Sequence, residues 1–573
     1  MERKAISIGG SDFETIIRND YLYVDKTMMI KDLIDSASTA ILFTRPRRFG
    51  KSLNMSMLKY FFEINAETAD LFENLDIWTC GDKYRVCQGK YPVISLTFFD
   101  FSEPDWTQAF NYFKKNIADE FIRHNCIFKS DILIQEEKEQ FLRIKQRTAD
   151  IVDYKSSLKD LTRWLYQYYG VKPILLIDEY DKPIQKAYTS GYYKEMMDFL
   201  KGFYTGGVKD NPYLTKGIMT GVLRIAKESI FTGMNNFDVY SIFSDPYAQY
   251  FGFTETEVHA LSEVYGAAEK VEQVKYWYDG YCFGSTEIYN PWSVLQYYSR
   301  GCIPEAYWLS TSGNDIIHAM FKNISVKTLT DLTALMQGKS ITATIPVELV
   351  YPDVGADKTG VALYALLLMT GYLKKMEDKR ISGNIRSGQN LRYRCVLKIP
   401  NREIMEVYQA EILEYVERYC VPEVTDAIQM AISENDTETL QKELSRFLME
   451  STSHFDGAYE VFYQGLMLGQ VSMMRDGYYV YSNLESGEGR FDILLKPKRK
   501  TLPGIIIELK SIQKSFSSDT ERDTKLEVEA AHALWQIEHN DYAVQLTSHG
   551  IDRRILYGMA FCGKHVRVVS KFI

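Results

Sequence analysis

Three segments in the first half of the chain carry side chains suited to handling phosphate. Thr44 to Ser52 reads TRPRRFGKS and follows the apolar stretch AILFT, Ala40 to Thr44. A strand, a tight loop and a helix N-terminus, in that order, present loop amides and a helix dipole to an anion. In such a loop Gly50 gives the backbone its turn, Lys51 reaches the β- and γ-phosphates, and Ser52 holds Mg²⁺. The general pattern G-x-x-x-x-G-K-[ST] is met at Gly50, Lys51 and Ser52, but Arg45 stands where its first glycine belongs. The second segment, PILLIDEYDKP from Pro173 to Pro183, is an apolar strand ending in Asp178 and Glu179. There Asp178 would share the Mg²⁺ with Ser52, and Glu179 would polarise an attacking water. In the third, TGVLRIAKESIFTGMNN, Thr220 ends a strand and could sense the γ-phosphate. Arg224 would neutralise charge there, or pair with Asp181 or Glu228. Strands often end in acidic turns, so it is GKS after one strand together with DE after another that points to nucleotide.

The last third carries a different chemistry. GRFDILL, Gly489 to Leu495, and GIIIELK, Gly504 to Lys510, read as two strands joined by KPKRKTLP, whose prolines suit a hairpin turn. Glu508 and Lys510 are two apart and so share a face. An antiparallel neighbour would bring Asp492 beside them. Two carboxylates on one face can hold Mg²⁺ or Mn²⁺, hard cations that prefer oxygen ligands. The metal would generate hydroxide and stabilise a pentavalent phosphate, and Lys510 would orient or help deprotonate the water. Charges in so apolar a strand need a reason; the alternative is an edge strand ending in a surface ion pair. Lys496, Lys498, Arg499 and Lys500 form a basic turn beside this pair, either a grip on a phosphate backbone or a solvated turn.

The elements that must position these residues follow from apolar patterning. Four short runs, Ala40–Thr44, Pro92–Phe99, Pro173–Ile177 and Lys216–Leu223, alternate with helical patterns such as Ser52–Ile64 and Asp160–Tyr169. That alternation predicts a parallel sheet covered on both faces. From Phe251 to about Tyr419 the pattern is mainly helical, with Asn290 and Pro291 opening one helix and no catalytic constellation in view. The C-terminal part returns to strands after helices at Thr437–Leu448 and Tyr459–Met473. Strands are expected at Tyr478–Ser482, Arg490–Leu495, Gly504–Leu509, Tyr542–Leu546, Leu556–Phe561 and Val566–Val569, with a helix at Lys525–His539. This divides the chain into a nucleotide module at 1–250, a helical middle at 251–435 and a compact α/β module at 436–573.

The 573 residues suit a protein of several domains, and the 46% hydrophobic and 25% charged fractions exclude global disorder. The net charge of −9 argues against a surface coated in basic charge. From Asp456 onward, however, the signs balance at about 15 each. The 41 tyrosines read as a packing habit, not as a site. The eight cysteines form no C-x-x-C pair and sit beside no histidine cluster, so reduced thiols are expected in place of zinc. No signal-peptide core opens the chain, and the longest apolar stretch, Val361 to Leu373, is too short for a span. A cytoplasmic protein is therefore expected.

RPRRFGKS, IDEYDKP, TG-x-L-R followed by Asn235-Asn236, and YVDKT (Tyr23 to Thr27) together resemble the AAA-ATPase-like family of prokaryotic proteins. YWYDGYCFG (Tyr276 to Gly284), YNPWSVL (Tyr289 to Leu295), Thr311-Ser312 and IPN (Ile399 to Asn401) extend the likeness over most of the chain. In that family RPRRFGK[ST] is itself the usual phosphate loop, so Arg45 is no departure from its pattern. The resemblance implies a P-loop NTPase sheet that binds ATP through Arg45, Arg47, Arg48, Phe49, Gly50, Lys51 and Ser52. Three arginines around a polyphosphate should strengthen binding, and they say nothing of turnover.

Asp492, a short gap, then Glu508-x-Lys510 resembles the PD-(D/E)XK nuclease superfamily, and GEGRFDI matches the G-x-G-R-x-D-[IL] signature of the family's C-terminal partner module. A restriction-endonuclease-like fold is implied. Glu460 is similar to the upstream acidic residue that completes such a metal shell, with a solvated helix face as its alternative. Gln536 is similar to the helix glutamine that contacts the scissile region in many nucleases. Tyr542 follows at the wrong spacing and is not carried over. The combined expectation is an ATPase fused to a Mg²⁺-dependent nuclease that cleaves DNA under nucleotide control. Its rival is a slow or non-hydrolysing switch whose nuclease-like module only binds nucleic acid or a partner protein. An oligomer is possible, but no arginine finger outside the loop suggests one.

Overall fold

The structure is a computed structural model that describes residues 3–224, 237–308, 326–336, 338–348, 360–381, 392–408, 422–451, 463–464, 466–467, 470–471, 474, 477–482, 485–486, 489–499, 501–512, 516–539, 546 and 551–573. Its backbone packs into two compact units, Met1–Gly313 with Ser340–Ile404, and Asn314–Lys339 with Met405–Ile573.

The first unit is built on five strands: β1 Ala40–Thr44, β2 Val93–Thr97, β3 Ile174–Asp178, β4 Lys216–Gly221 and β5 Phe237–Tyr240. All pairs are parallel, in the order β2-β3-β4-β1-β5. β1 and β3 are buried at every position, as apolar runs without alternation require between two helical layers. The helix Ile151–Tyr169 shows how the covering layer is delimited. Asp150 accepts from the amides of Val152 and Asp153 at its start, and Gly170 ends it in the left-handed region at φ 69°. β4 lies between β1 and β3, so the phosphate loop and the acidic strand end are separated by the Thr220 strand. All three end on the same rim, where ligands of open parallel sheets bind.

The middle is helical, with two small sheets added. β6 Tyr281–Phe283 and β7 Thr286–Ile288 form a hairpin, and β8 Ile341–Pro346, β9 Lys374–Ile381 and β10 Arg392–Lys398 form an antiparallel sheet in the order β8-β10-β9. Periodicity misses β9 because nearly all of KKMEDKRI faces solvent and lacks apolar alternation. Asn290 caps the helix Pro291–Ser299 by accepting from the Trp292 amide. Val361–Thr370 is a buried helix. Among the described residues no helix is long and apolar enough to cross a membrane.

The second unit holds β11 Tyr478–Ser482, β12 Glu485–Ser486, β13 Gly489–Arg490, β14 Ile493–Pro497, β15 Gly504–Ser511, β16 Arg554–Cys562 and β17 His565–Phe572. Its main sheet runs β11-β14-β15-β16-β17, mixed, with β15 and β16 the parallel pair. One face packs on the helices Pro422–Glu434 and Thr437–Ser451 through residues such as Ile493, Ile507 and Tyr557. The other packs on the helix Asp519–His539 through Leu494, Ile506, Leu556 and Ile537. Gly558 lets that helix rest on β16, since a Cβ there would meet the Ala530 carbonyl at 2.2 Å. The helix begins six residues before the apolar pattern does, in a polar first turn. Of the strand expected at 542–546 only Leu546 is described, and it is helical.

Candidate active sites

The first site lies on the rim of the parallel sheet. β1 delivers the loop Arg45–Gly50, and Gly50 turns at φ 80° into the helix Lys51–Phe62. The Ser52 hydroxyl donates to Asp178 Oδ2 at 2.6 Å. The Thr220 hydroxyl donates to Asp178 Oδ1, so the carboxylate is held by the end of the adjacent strand β4 and by the helix that follows the loop. Burial, then the charge of Glu179, push the Asp178 carboxyl above its ordinary range. A cation bound there would reverse that shift. Lys51 is buried and donates to the carbonyls of Arg45 at 3.3 Å and Pro46 at 3.0 Å. Its ammonium also lies 3.4 Å from Glu179 Oε1. The loop lysine and both strand-end acids thus form one charge cluster.

Backbone strain gathers at the same place. Arg48 and Glu179 adopt φ 68° and 55°, a region that bulky side chains rarely occupy and that persists where the surroundings over-determine it.

The arginines divide into three roles. Arg45 is fully buried, and its guanidinium lies over the rings of Phe251 at 5.3 Å and Phe283 at 4.8 Å. It donates to the carbonyls of Thr44 and Tyr240, and burial pushes it down to about 9. Expected around a polyphosphate, the Arg45 guanidinium lies in the interior between the loop and the middle segment, with Nε and Nη2 unpartnered. Arg47 donates to Gln185 at 3.3 Å. Arg48 stacks on Trp292 at 4.0 Å, and its buried Nη1 has no hydrogen-bond partner. Nearby, Glu403 is fully buried, accepts from the Ser293 hydroxyl and the Trp308 amide, and is pushed up to about 7 by burial. Phe49 is buried against Tyr281 and Phe283.

Arg224 pairs with Glu348 at 2.9 Å, and not with Asp181. Asp181 is buried, and its Oδ2 accepts from the amides of Val222 at 3.0 Å and Leu223 at 2.8 Å. Glu228 and Asn235-Asn236 lie outside the described residues.

The second site lies in the C-terminal sheet. Ile493 pairs with Ile507 antiparallel, and one further step of that register sets Asp492 opposite Glu508. Asp492 Oδ2 accepts from the Leu509 amide at 2.8 Å, and Oδ1 accepts from the Gln464 amide at 3.2 Å. Glu508 is buried, and its Oε1 lies 3.1 Å from the Lys510 ammonium. Gln464 was not foreseen. Glu460 itself and Thr311-Ser312 lie outside the described residues. Gln536 sits half-buried on the helix Asp519–His539 that covers the sheet.

Both places offer hard oxygen donors, hydroxyl with carboxylate in one and two carboxylates in the other, which fits Mg²⁺ or Mn²⁺. Among the described residues no group of three or more His, Cys, Asp or Glu is arranged to hold a metal. Mg²⁺ commonly completes such a shell with water and phosphate oxygens.

With both constellations in place, comparison with known proteins is direct. Residues 7–231 match the family described as "Predicted AAA-ATPase", and residues 458–571 match the PD-(D/E)XK nuclease superfamily. The chain carries an AAA-ATPase-like domain and a PD-(D/E)XK nuclease superfamily domain. A similar protein is an "Uncharacterized protein in vnfD 5'region" of Azotobacter chroococcum mcd 1, 27% identical over 455 residues, or 78% of each chain. The two families support an ATPase–nuclease fusion. Lys51, Ser52 and Asp178 fall in the ATPase domain, and Asp492, Glu508 and Lys510 in the nuclease domain.

Proposed function

We propose that the chain hydrolyses ATP at the first site, cleaves DNA phosphodiester bonds at the second with a divalent metal, and lets nucleotide state govern the cleavage. The observation that carries this reading is the register that brings Asp492 to Glu508, with Lys510 already ion-paired there.

At the first site Lys51 and the half-buried Arg48 would bind the terminal phosphates. Ser52 and Asp178 would hold Mg²⁺. Glu179 would orient the water whose oxygen bonds to the γ-phosphorus as the bond to the bridging oxygen breaks, releasing ADP. At the second site a divalent ion would supply Lewis acidity to the scissile phosphate. Asp492 and Glu508 would hold it, the Leu509 amide and Gln464 would fix the Asp492 carboxylate, and Lys510 would orient the attacking water. Control by nucleotide rests on the fusion of the two domains in one chain. A reducing prokaryotic cytoplasm is the setting favoured by cysteines scattered without a C-x-x-C pair.

The test is nicking of supercoiled plasmid in Mg²⁺ or Mn²⁺, with and without ATP. Asp492→Ala should lower cleavage by at least about 1,000-fold, because the metal loses a ligand. Glu179→Gln with ATP should hold the chain in its ATP state and change the cleavage rate. An Asp492→Ala chain that nicks at the wild-type rate defeats the nuclease reading. Equal wild-type rates with and without ATP defeat the control.

A further inference from the structure

β11 is an edge strand of the nuclease-domain sheet, and its side chains alternate sharply in burial. Tyr478 packs into the core, whereas Tyr479 and Tyr481 are 53% and 36% exposed. The register identifies the face they occupy. Tyr481 lies opposite Leu494, Leu494 opposite Ile506, and Ile506 opposite Leu556. That row is the one covered further in by Ile537. Glu508 and Lys510 are even-numbered steps from it on β15 and share the face, and Asp492, the bend residue just before β14, bonds the Leu509 amide between them. The two tyrosines therefore extend the catalytic face of the sheet out to its open edge.

Spacing brings them near the acids. At about 3.4 Å per residue and about 4.8 Å between strands, the Tyr481 and Tyr479 backbones lie about 8 and 14 Å from that of Asp492. A polymer held on the tyrosines would reach the carboxylates within a few of its units.

Positive charge lies alongside. Tyr479 is the register partner of Lys496, and the Lys498 ammonium sits over the Tyr479 ring at 5.0 Å. The turn carrying Lys498 and Arg499 is fixed to the strand, because the Lys498 amide donates to the Gly477 carbonyl at 2.8 Å and the Leu502 amide to the Arg499 carbonyl at 3.1 Å. An edge strand is ordinarily blunted by charge; two large exposed rings beside it are a binding feature. Exposed aromatic rings interleaved with basic groups fit one kind of partner, an unpaired nucleic-acid strand whose bases stack while its phosphates meet the cations. A blunt duplex has its bases already stacked and offers these rings nothing.

We propose that Tyr479 and Tyr481, flanked by Lys496, Lys498 and Arg499, form a stacking platform that feeds an unpaired nucleic-acid strand to the Asp492–Glu508–Lys510 site. The substrate class is thus a single strand, or a duplex with a single-stranded end. This rests on the nuclease reading for the identity of the site, but the platform can be tested without catalysis.

The experiment is fluorescence anisotropy of the full chain in EDTA with labelled oligothymidylate, oligouridylate, and the thymidylate strand annealed to its complement. The single strand should bind at least about tenfold more tightly than the blunt duplex, and Tyr479→Ala with Tyr481→Ala should lower its affinity at least about tenfold. The Tyr→Phe pair should stay within about twofold of wild type, since stacking survives loss of the hydroxyl. Lys498→Gln, at an exposed position, should reduce the salt slope of binding by about one. Oligouridylate binding more tightly than oligothymidylate supports the platform and makes RNA its strand. Wild-type affinity in the alanine pair, or a preference for duplex, overturns the proposal. A chain that binds single strands in this way yet never cleaves with metal defeats the nuclease reading alone.

Discussion

The two sites hold their key aspartates by opposite means. Asp178 takes hydroxyl hydrogen bonds from Ser52 and Thr220, residues far apart in sequence that a parallel sheet brings to one rim. Asp492 takes a backbone amide from the neighbouring strand of its own hairpin and a side-chain amide from Gln464. The first site is enclosed, with Lys51 and Asp178 both buried. The second opens toward a sheet edge, with the Lys510 side chain 20% exposed. A small nucleotide can be surrounded by one loop and its helix, whereas a polymer must enter along a face. On the proposed function, the chain would meet one chemical class, the phosphate, with two degrees of enclosure.

The contrast is sharpest at Lys51. Its ammonium touches two loop carbonyls and Glu179, so its loss removes the cation at the centre of the first cluster. Lys51→Ala should lower ATP hydrolysis at least about 100-fold, because a preorganised charge is lost from a desolvated site. Binding of oligothymidylate in EDTA should not change. Phosphate-release kinetics beside the anisotropy assay read both, and a fall in strand binding of the same size would break the separation of the two sites.

The second site should be more tolerant of losing a supporting group. Gln464 touches Asp492 but holds no metal itself, and the Leu509 amide still fixes the other carboxylate oxygen. Gln464→Ala should weaken metal dependence about tenfold, the usual scale for a group behind a ligand. Titrating plasmid nicking against Mn²⁺ separates this from a loss in rate at saturation. An unchanged Mn²⁺ requirement would make Gln464 a packing residue only.

How much of this could be read from sequence depended on the range of the contacts. The hairpin is local, so alternation and the position of Glu508 and Lys510 placed them beside Asp492 before any fold was known. β1, β3 and β4 were legible as apolar runs for the same reason. The order β3-β4-β1 was not legible, since parallel pairing leaves no local trace. The packing of Arg45 was not legible, because a charge in a phosphate loop is naturally assigned to the phosphate. Its true neighbours, Phe251 and Phe283, lie some two hundred residues on, and no spacing rule connects them to it. Glu403 and Gln464 were missed because a glutamate or glutamine at a helical position reads as a solvated face until burial is seen.

Asp181 gives the subtlest test of the enclosed site. Its Oδ2 is held by two backbone amides, and its Oδ1, buried, has no hydrogen-bond partner. Burial, then the charge of Glu179, push the carboxyl up to about 6. The folded chain therefore keeps a proton that the unfolded chain releases near pH 4. Between about pH 4 and 6 the native state binds more protons, so its stability falls as pH rises through that window. Asp181→Asn keeps an oxygen for both amides and removes the titration. Wild type should lose on the order of 1 kcal/mol more than this variant between about pH 4 and 6, as read by urea denaturation of the full chain. Parallel curves would mean that Asp181 stays ionised across the window. The two amides and the Lys51 charge would then offset the cost of enclosing its carboxylate.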